Sequence, residues 1–353
     1  MAELPVRHIV IGTEALRTLQ NNVWSERYVQ AWLAGSGGGR VPVRIRYRGG
    51  HTREYPKKSY EVVRGGRTYH YNAEYDDPSM IRNALSFQFF RWIGVPSPRT
   101  KHCLLYLNGE SLGVYLEIEG VEDAFFRKRG IGAGPLFYAV NDDANFSLVK
   151  GDSNRRKASL LAGYQQMKGT VKDRERLRLF ISRINTLRSK QLGMYIRQQL
   201  DVDNYLRWLA GAVLTGNYDG FDQNYAIYRH KTKLKYRMIP WDYEGTWGRN
   251  CYGKPCGSDL VRIQGYNKLT SKVLAFKVAR SRYKTLLMQF LGTSFTVERI
   301  VPVAERMHES IRPHIIRDGA RKWSVSDFDG ETRFIRNYIQ ERRQLVQEAL
   351  RNL

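Results

Sequence analysis

The stretch NYDGFDQNYAIYRHKTKLKYRMIPWDYEG, residues 217–245, carries the most information about this chain. It reads as a loop, a strand, a turn and a second strand, with an acid where the second strand ends. Asp219 and Asn224 are five positions apart in the loop, and Asp242 follows the second strand. A spacing of this kind is common by chance. Its value comes from the helix predicted before the loop and from the hairpin that leads to Asp242.

The chain is long and strongly basic. Its 353 residues, of which 42% are hydrophobic, suffice for two average domains or for one large two-lobed unit. The formal net charge of +24 favours a polyanionic partner: a nucleic acid, an acidic or phosphorylated protein, a membrane surface or a nucleotide. A solvated surface that keeps the protein soluble is the alternative explanation, and composition alone leaves both open.

The cysteines and the N-terminus indicate a compartment. Cys103, Cys251 and Cys256 are an odd number in a long chain, which is typical of a reducing environment. Cys251 and Cys256 have no second Cys or His pair at zinc spacing, so we expect no zinc site there. No secretory leader and no transmembrane-length apolar run are evident. We therefore expect a cytoplasmic protein without a membrane partner.

Residues 1–125 are predicted to form a β-rich N-terminal lobe of about five strands and one helix. The apolar spacing over residues 79–93 predicts that helix, which ends at Gly94. The turn signal Asn108-Gly109 predicts a hairpin. Alternating or turn-flanked runs predict the strands at residues 41–48, 59–63, 102–107 and 113–118.

Residues 126–353 are predicted to form a mostly helical C-terminal lobe. One apolar helix face lies within residues 177–184, and a second lies within 202–213, where Asp201 or Asp203 can cap the helix. At least three more helices are expected beyond Ser281, including one over residues 331–350.

The segment from residue 150 to 190 is unusually basic. It contains twelve basic and three acidic residues, and its apolar face forces the Arg and Lys onto the opposite side. An ordinary solvated helix face explains this pattern. A docking surface for an acidic or phosphorylated partner is the alternative.

The polar groups of residues 217–245 follow the order used by protein kinases. A catalytic Asp accepts the proton of the substrate hydroxyl, an Asn five residues later holds one Mg²⁺, and an Asp after a hairpin holds the other. Asp219, Asn224 and Asp242 can take these roles, since Mg²⁺ needs only one or two protein oxygens beside phosphates and water. Asp222 and Glu244 are further acids that could be extra ligands or solvated groups. The alternative is that all these residues serve turns.

A nucleotide site also requires cations for the phosphates. Arg48 begins a glycine-containing turn between two predicted strands, and Lys57 and Lys58 open the second of them. We favour Lys58, because it shares a strand face with Tyr60 and Val62. Surface lysines at a strand end are the alternative. A glycine cluster, at positions 35 and 37–39, fits no phosphate-loop pattern and is interpreted as a flexible turn.

Eight sequence blocks resemble the CotH family of spore coat kinases, from the first lobe into the second. They are RYRGGHTREYPKKSY (46–60), NAEYDDPSMIRN (72–83), NGESLGVYLEIEGVED (108–123), FYAVNDDANFSL (137–148), DNYLRWLAG (203–211), NYDGFDQNYAIYR (217–229), IPWDYEGTWGR (239–249) and VRIQGYNKLT (261–270). The resemblance implies an α+β, atypical protein-kinase-like two-lobed fold. Asp219 matches the family's catalytic Asp, Asp242 matches its metal-binding Asp, and Asn224 matches by spacing within the same block.

The same resemblance implies a function. The chain would use ATP with Mg²⁺ or Mn²⁺ and transfer the γ-phosphate to Ser or Thr hydroxyls of Ser-rich spore coat proteins, as coat assembly requires. The expected location is the mother-cell cytoplasm and the spore coat. Glu119 and Val121 lie where a kinase hinge contacts the adenine, which makes them positional candidates for nucleotide binding.

The chain departs from ordinary protein kinases in two respects. Asn217-Tyr218-Asp219 lacks the Arg that usually precedes the catalytic Asp and pairs with a phosphorylated activation loop, so we predict no switch of that kind. The helix at 79–93 contains no acid to pair with the strand lysine. Glu74, Glu117 and Glu119 are the candidate substitutes.

Two other functions compete with the kinase. A non-catalytic coat scaffold with a kinase-like fold is the first, and the retained acidic and amide positions argue against it. A nucleic-acid-binding protein is the second, suggested by the +24 charge. No RNA- or DNA-binding module signature accompanies that charge, which disfavours a nucleic-acid partner.

Overall fold

The computed structural model describes residues 3–35, 39–151, 153 and 155–352, so Gly37 and Gly38 of the glycine cluster lie outside it. Within these ranges the strands are β1 (Val6–Val10), β2 (Val29–Ala34), β3 (Arg40–Arg48), β4 (Ser59–Arg64), β5 (Arg67–Asn72), β6 (Thr100–Leu107), β7 (Glu110–Glu119), β8 (Ala133–Ala139), β9 (Tyr164–Lys168), β10 (Tyr225–His230) and β11 (Tyr236–Pro240). The α-helices are α1 (Thr13–Asn21), α2 (Arg82–Trp92), α3 (Asp123–Arg127), α4 (Val171–Thr186), α5 (Ser189–Gln199), α6 (Val202–Thr215), α7 (Lys268–Leu274), α8 (Lys277–Thr293), α9 (Val297–Ile315) and α10 (Val325–Ala349). The presence of both helices and strands confirms the predicted α+β class.

The chain forms two compact units, and neither is continuous in sequence. Unit 1 contains Met1–Ala84, Pro98–Lys128 and Pro302–Thr332, and unit 2 contains Leu85–Ser97, Arg129–Val301 and Arg333–Leu353. The single boundary predicted at residue 125 assigns two of these segments differently. The reason is physical: an apolar helix face shows that a helix is covered, but it does not show which core covers it.

Unit 1 is built on a closed barrel with the strand order β1-β2-β3-β4-β5-β7-β6. The barrel has seven strands, whereas the sequence predicted a sheet of about five. The barrel closes through parallel pairing of β1 with β6, with Ile9 opposite Leu107. Inward-facing side chains form its core, among them Ile9, Ile45, Val62, Tyr71, Leu105 and Tyr115. Pairing between strands so distant in sequence leaves no local pattern, so the closure of β1 on β6 was not predicted.

Local signals were more reliable where a turn requires a left-handed backbone. Asn108 and Gly109 have φ angles of 50° and 92° and connect β6 to β7, which confirms the predicted hairpin. Gly94, with φ of 79°, follows the end of α2 as expected.

Unit 2 contains a four-stranded antiparallel sheet in the order β11-β10-β8-β9. Helix α6 leads into the loop before β10. Asp201 caps its N-terminus by accepting a hydrogen bond from Asn204 N at 3.2 Å, and Gly216 ends it in the left-handed conformation. Nearly every residue of α6 is buried, so the loop that follows starts from a fixed position.

Candidate active site

The loop that carries Asp219 is fastened at its first residue. Asn217 is buried, and its backbone N–H donates to Ala212 O at 3.0 Å. Its side-chain amide points toward Asp242 O at 3.5 Å, which links the loop to the chain beyond β11. Asp219 itself is partly exposed. A partly exposed carboxylate on a fastened loop is able to meet a substrate hydroxyl.

The register of the β10–β11 hairpin brings the other two candidates to one end. Tyr225 pairs with Pro240, and the next bond runs from Trp241 N to Asn224 O at 3.1 Å. Asn224 and Asp242 both have a positive φ, 58° and 56°. Asn and Asp tolerate this conformation better than other residues with side chains, yet it carries a cost that proteins often accept at functional sites.

A buried carboxylate lies just before Asn224. The Oδ1 atom of Asp222 is inaccessible to solvent and has no hydrogen-bond partner among the described residues. Burial and the negative charge of Asp142 raise the pKa of Asp222 to about 6, while Lys157 opposes the rise. Asp222 was named from the sequence, but Asp142 and Lys157 were not. The block NDDAN at residues 141–145 was the available signal for Asp142.

Lys157 is held beside these acids. Its Nζ donates to Asn145 Oδ1 at 2.7 Å and to the Asp143 carbonyl, and the side chain is largely buried. Burial lowers the pKa of Lys157, and the charges of Asp143 and Asp222 counteract it. Lys157 thus places a positive group near Asp222 without hydrogen-bonding its buried oxygen.

Cys251 lies against the candidate catalytic acid. The Asp219 carboxylate acts on its thiol, and the charge of Glu244 adds a smaller effect. Burial and these two negative charges raise the pKa of Cys251 to about 12. The thiol therefore stays protonated at neutral pH and can donate to Asp219. Sequence reasoning tested this cysteine only for zinc, and no local pattern predicts the contact.

The candidate phosphate-binding cations of unit 1 occupy different environments. Lys57 is buried, and its Nζ contacts Asp318 Oδ2 at 2.7 Å and Val114 O at 2.8 Å. Lys58 immediately precedes β4 and is only partly buried, with its Nζ 2.6 Å from Arg53 O. The Arg48 guanidinium donates to Asn72 Oδ1.

The acid that pairs with Lys57 is Asp318, and the three sequence candidates pair elsewhere. Glu117 binds Arg7 at 2.7 Å, and both carboxylate oxygens of Glu74 accept from the Asn83 amide at 3.1 Å. Asp318 belongs to the segment of unit 1 that returns near the C-terminus. Asp318 was not a candidate because 261 positions separate it from Lys57.

The hinge candidates lie at the end of β7. The Glu119 carboxylate contacts Lys128 at 3.3 Å, and its backbone N–H donates to Arg99 O at 2.9 Å. Val121 is buried just beyond the strand. The contact of Glu119 and Val121 with the adenine stays a prediction.

The fold and the site define a mixed α+β protein that gathers carboxylate and amide groups at the end of one hairpin. The chain belongs to the CotH kinase protein family, whose pattern matches residues 45–346. This confirms the resemblance drawn from the eight blocks. The inner spore coat protein H of Bacillus subtilis (strain 168) is 40% identical over 356 aligned residues, covering 99% of this chain and 98% of that protein.

Two further proteins are similar to this chain. The inner spore coat protein H-like protein of Bacillus subtilis (strain 168) is 29% identical over 306 residues, covering 84% of this chain and 87% of that protein. Among solved structures, the Helicobacter pylori proinflammatory kinase CtkA aligns with a TM-score of 0.34 and 10% identity, over 83% of this chain and 94% of that one. A likeness this weak carries no argument about fold or function. No helix within the described ranges has the length and apolar character needed to span a membrane.

Proposed function

We propose that this protein is an ATP-dependent kinase with an atypical, two-lobed kinase-like fold. It transfers the γ-phosphate to Ser or Thr hydroxyls of Ser-rich spore coat proteins, and it works in the mother-cell cytoplasm and the spore coat. Membership of the CotH kinase family and the names of two spore coat relatives support the proposal. The observation that carries it is the hairpin register, which places Asn224 and Asp242 together after the loop of Asp219.

The residues of the hairpin fit a divalent metal. Asn224 and Asp242 would hold Mg²⁺ or Mn²⁺ through amide and carboxylate oxygens, the hard ligands that such ions prefer. Among the described residues there is no group of three or more His, Cys, Asp or Glu side chains poised for a metal. Sites that bind metal with nucleotide commonly supply one or two protein ligands and leave the rest to phosphates and water. When bound, the metal neutralises charge on the transferring phosphoryl group.

Asp219 is the catalytic residue of the proposed transfer. Its carboxylate accepts the proton of the acceptor hydroxyl and aims that oxygen at the γ-phosphate. The Cys251 thiol, which stays protonated beside this carboxylate, is able to donate to it. Asn217 keeps the loop fastened while the hydroxyl is positioned.

The nucleotide contacts of unit 1 stay predictions. We propose Lys58 and Arg48 for the ATP phosphates and the chain at Glu119 and Val121 for the adenine. Lys57 was the other candidate, but its amine already binds Asp318 and Val114 O, so we favour Lys58.

A transfer assay with the full chain tests the proposal. Purified protein is incubated with labelled ATP, Mg²⁺ or Mn²⁺ and a Ser-rich coat protein, and transferred label is counted. We expect transfer by the wild type and a loss of about 10²-fold or more for Asp219→Asn and Asp242→Asn. Asp259→Asn, an exposed acid of the same unit, is the matched control and should retain activity.

The outcomes separate the competing functions. Absence of transfer by folded wild-type protein would favour the non-catalytic scaffold. Full activity of Asp219→Asn or Asp242→Asn would show that the site is wrongly assigned even though the protein is a kinase.

A further inference from the structure

A pocket of about 430 Å³ opens in unit 2 within the region that follows the hairpin. Arg262, Gln264, Asn267, Ser271 and Arg280 contribute polar groups to a lining that is otherwise more apolar than polar. The first three of these residues lie in the block VRIQGYNKLT, which the proposed phosphotransfer does not use. The volume is in the range that small ligands and side-chain groups occupy.

The pocket wall is attached to the loop that carries Asp219. Asn267 lines the pocket, and its side-chain amide donates to Phe221 O at 2.8 Å. The neighbouring Tyr266 ring packs against both Tyr218 and Phe221, with ring centroids 5.2 and 5.3 Å apart. Tyr218 and Phe221 flank Asp219 closely in sequence. A group bound in the pocket would therefore lie near the loop proposed to position the acceptor hydroxyl.

The surroundings of the pocket carry one sign of charge. Residues 260–297 contain seven Lys and Arg residues and no Asp or Glu. Burial, together with the positive charges of Lys268 and Arg188, lowers the pKa of Lys272 in α7. Crowded cations of this kind produce a positive potential that attracts an anion.

The two arginines are held in place by short bonds. Arg280 donates from Nη1 to Leu274 O at 2.8 Å and to Ala275 O at 3.0 Å, and Arg262 donates from Nε to Gly265 O at 2.6 Å. The Arg262 guanidinium also lies over the Tyr266 ring, 4.6 Å from its centre. Each guanidinium has five N–H donors, so these bonds fix its position and leave donors for an anion.

We propose that this pocket binds the phosphoryl group of a phosphoserine already present in the acceptor protein. The inference rests on the proposed function and names a feature of its substrate. Two guanidinium groups that keep unused N–H donors, with the Gln264 side chain beside them, match a phosphate monoester. An open pocket of this size accommodates one such group, whereas nucleic acids require a track along successive backbone phosphates. The first phosphate placed on a Ser-rich protein then strengthens binding for the next transfer.

Binding without ATP tests this inference. Fluorescence anisotropy compares a labelled Ser-rich peptide carrying one phosphoserine with the same peptide lacking phosphate, on the full chain. We expect the phosphopeptide to bind about tenfold or more tightly, the gain typical of charge-assisted hydrogen bonds. Arg262→Gln and Arg280→Gln should remove most of that preference. Ser271→Glu places a negative charge at an exposed pocket position and leaves both arginines unmutated. It should also remove most of the preference.

Arg282→Gln is the matched control. It removes the same charge two residues from Arg280 on α8, where Arg282 pairs with Asp203 instead. The preference should persist in this variant. Equal affinity for both peptides would overturn the proposed phosphoserine site. A loss of the preference in Arg282→Gln equal to that in Arg280→Gln would overturn it as well. So would competition by inorganic phosphate at the concentration at which the phosphopeptide itself competes, because the site would then bind any phosphate. Since no ATP is present, an inactive enzyme with an intact preference would sink only the proposed function.

Discussion

At the scale of single residues, Asp318 organises one region of unit 1. Its Oδ2 accepts from Lys57 Nζ at 2.7 Å and from Val114 N at 2.9 Å, and Oδ1 accepts from Ala320 N at 3.2 Å. Gly113 faces this carboxylate with φ of 85°, and a side chain there would overlap it. The buried charge is satisfied on all sides, which is the condition for a buried ion pair to be tolerated.

Replacing Lys57 should therefore damage the fold. Lys57→Ala leaves Asp318 buried without its counter-ion, and we expect a loss of about 3–5 kcal/mol in the free energy of unfolding. Lys58→Ala is the control, since its side chain is only partly buried and bonds one carbonyl. Urea unfolding measures both variants. Similar losses in the two would contradict the structural role of Lys57.

Cys251 should react slowly with alkylating reagents. The thiolate is the reactive form, and a pKa of about 12 leaves very little thiolate at pH 8. Asp219→Asn removes one of the charges that raise this pKa, so labelling of Cys251 by iodoacetamide should become faster. Mass spectrometry of the labelled peptides between pH 7 and 10 gives the rates. An unchanged rate in Asp219→Asn would show that the two side chains do not interact.

At the scale of elements, α6 shows packing overriding helix propensity. Gly211 lies inside this helix, although Gly weakens a helix interior relative to Ala by up to about 1 kcal/mol. A Cβ atom at this position would overlap the buried ring of Phe90 in the same unit. The missing side chain permits the close approach of α2, and the loop of Asp219 starts from the helix so packed.

Gly211→Ala should consequently destabilise the protein despite the better helix former. Overpacking of this kind costs about 1–3 kcal/mol. Gly292→Ala in α8 is the contrasting variant, because nothing lies within 4 Å of the added Cβ, and it should raise the melting temperature slightly. Thermal unfolding of the two variants decides the matter. Stabilisation by both would mean that Phe90 moves aside at little cost.

At the scale of the whole molecule, buried histidines set the response to acid. Burial and the charge of Arg48 lower the pKa of His70 from 6.5 to about 3, with Glu61 opposing. Burial also lowers the pKa of His102 and of His308. The unfolded chain binds these protons more readily than the folded chain. Their contribution to stability is complete above pH 6.5 and is lost as the pH falls toward the lowered values.

The contribution of His70 should accordingly make stability fall between pH 6.5 and 4.5, by about a factor of ten in the folding constant per pH unit. His70→Gln should flatten this dependence in urea titrations at pH 7, 6 and 5. His51→Gln, at an exposed histidine, should leave the slope unchanged. The same slope in His70→Gln as in the wild type would assign the acid sensitivity to other groups.

Much of the candidate site could be predicted because its signals are local. The order of Asp219, Asn224 and Asp242 with a hairpin between them is written in consecutive residues, and β10 and β11 form where expected. The pairing of Lys57 with Asp318 could not be predicted, since 261 positions separate them. The contact of Cys251 with Asp219 likewise depends on how two loops fold against each other.

The sequence by itself determined the family, the α+β class, the Asn108-Gly109 hairpin and the loop that carries Asp219. Those features depend on the conformational preferences of neighbouring residues and on periodic burial, which act over a few positions. Only the tertiary structure decided the pairing of β1 with β6, the assignment of residues 302–332 to unit 1 and the partner of Lys57. Periodicity shows that a face is buried, whereas the choice of its partner follows from the packing of distant segments.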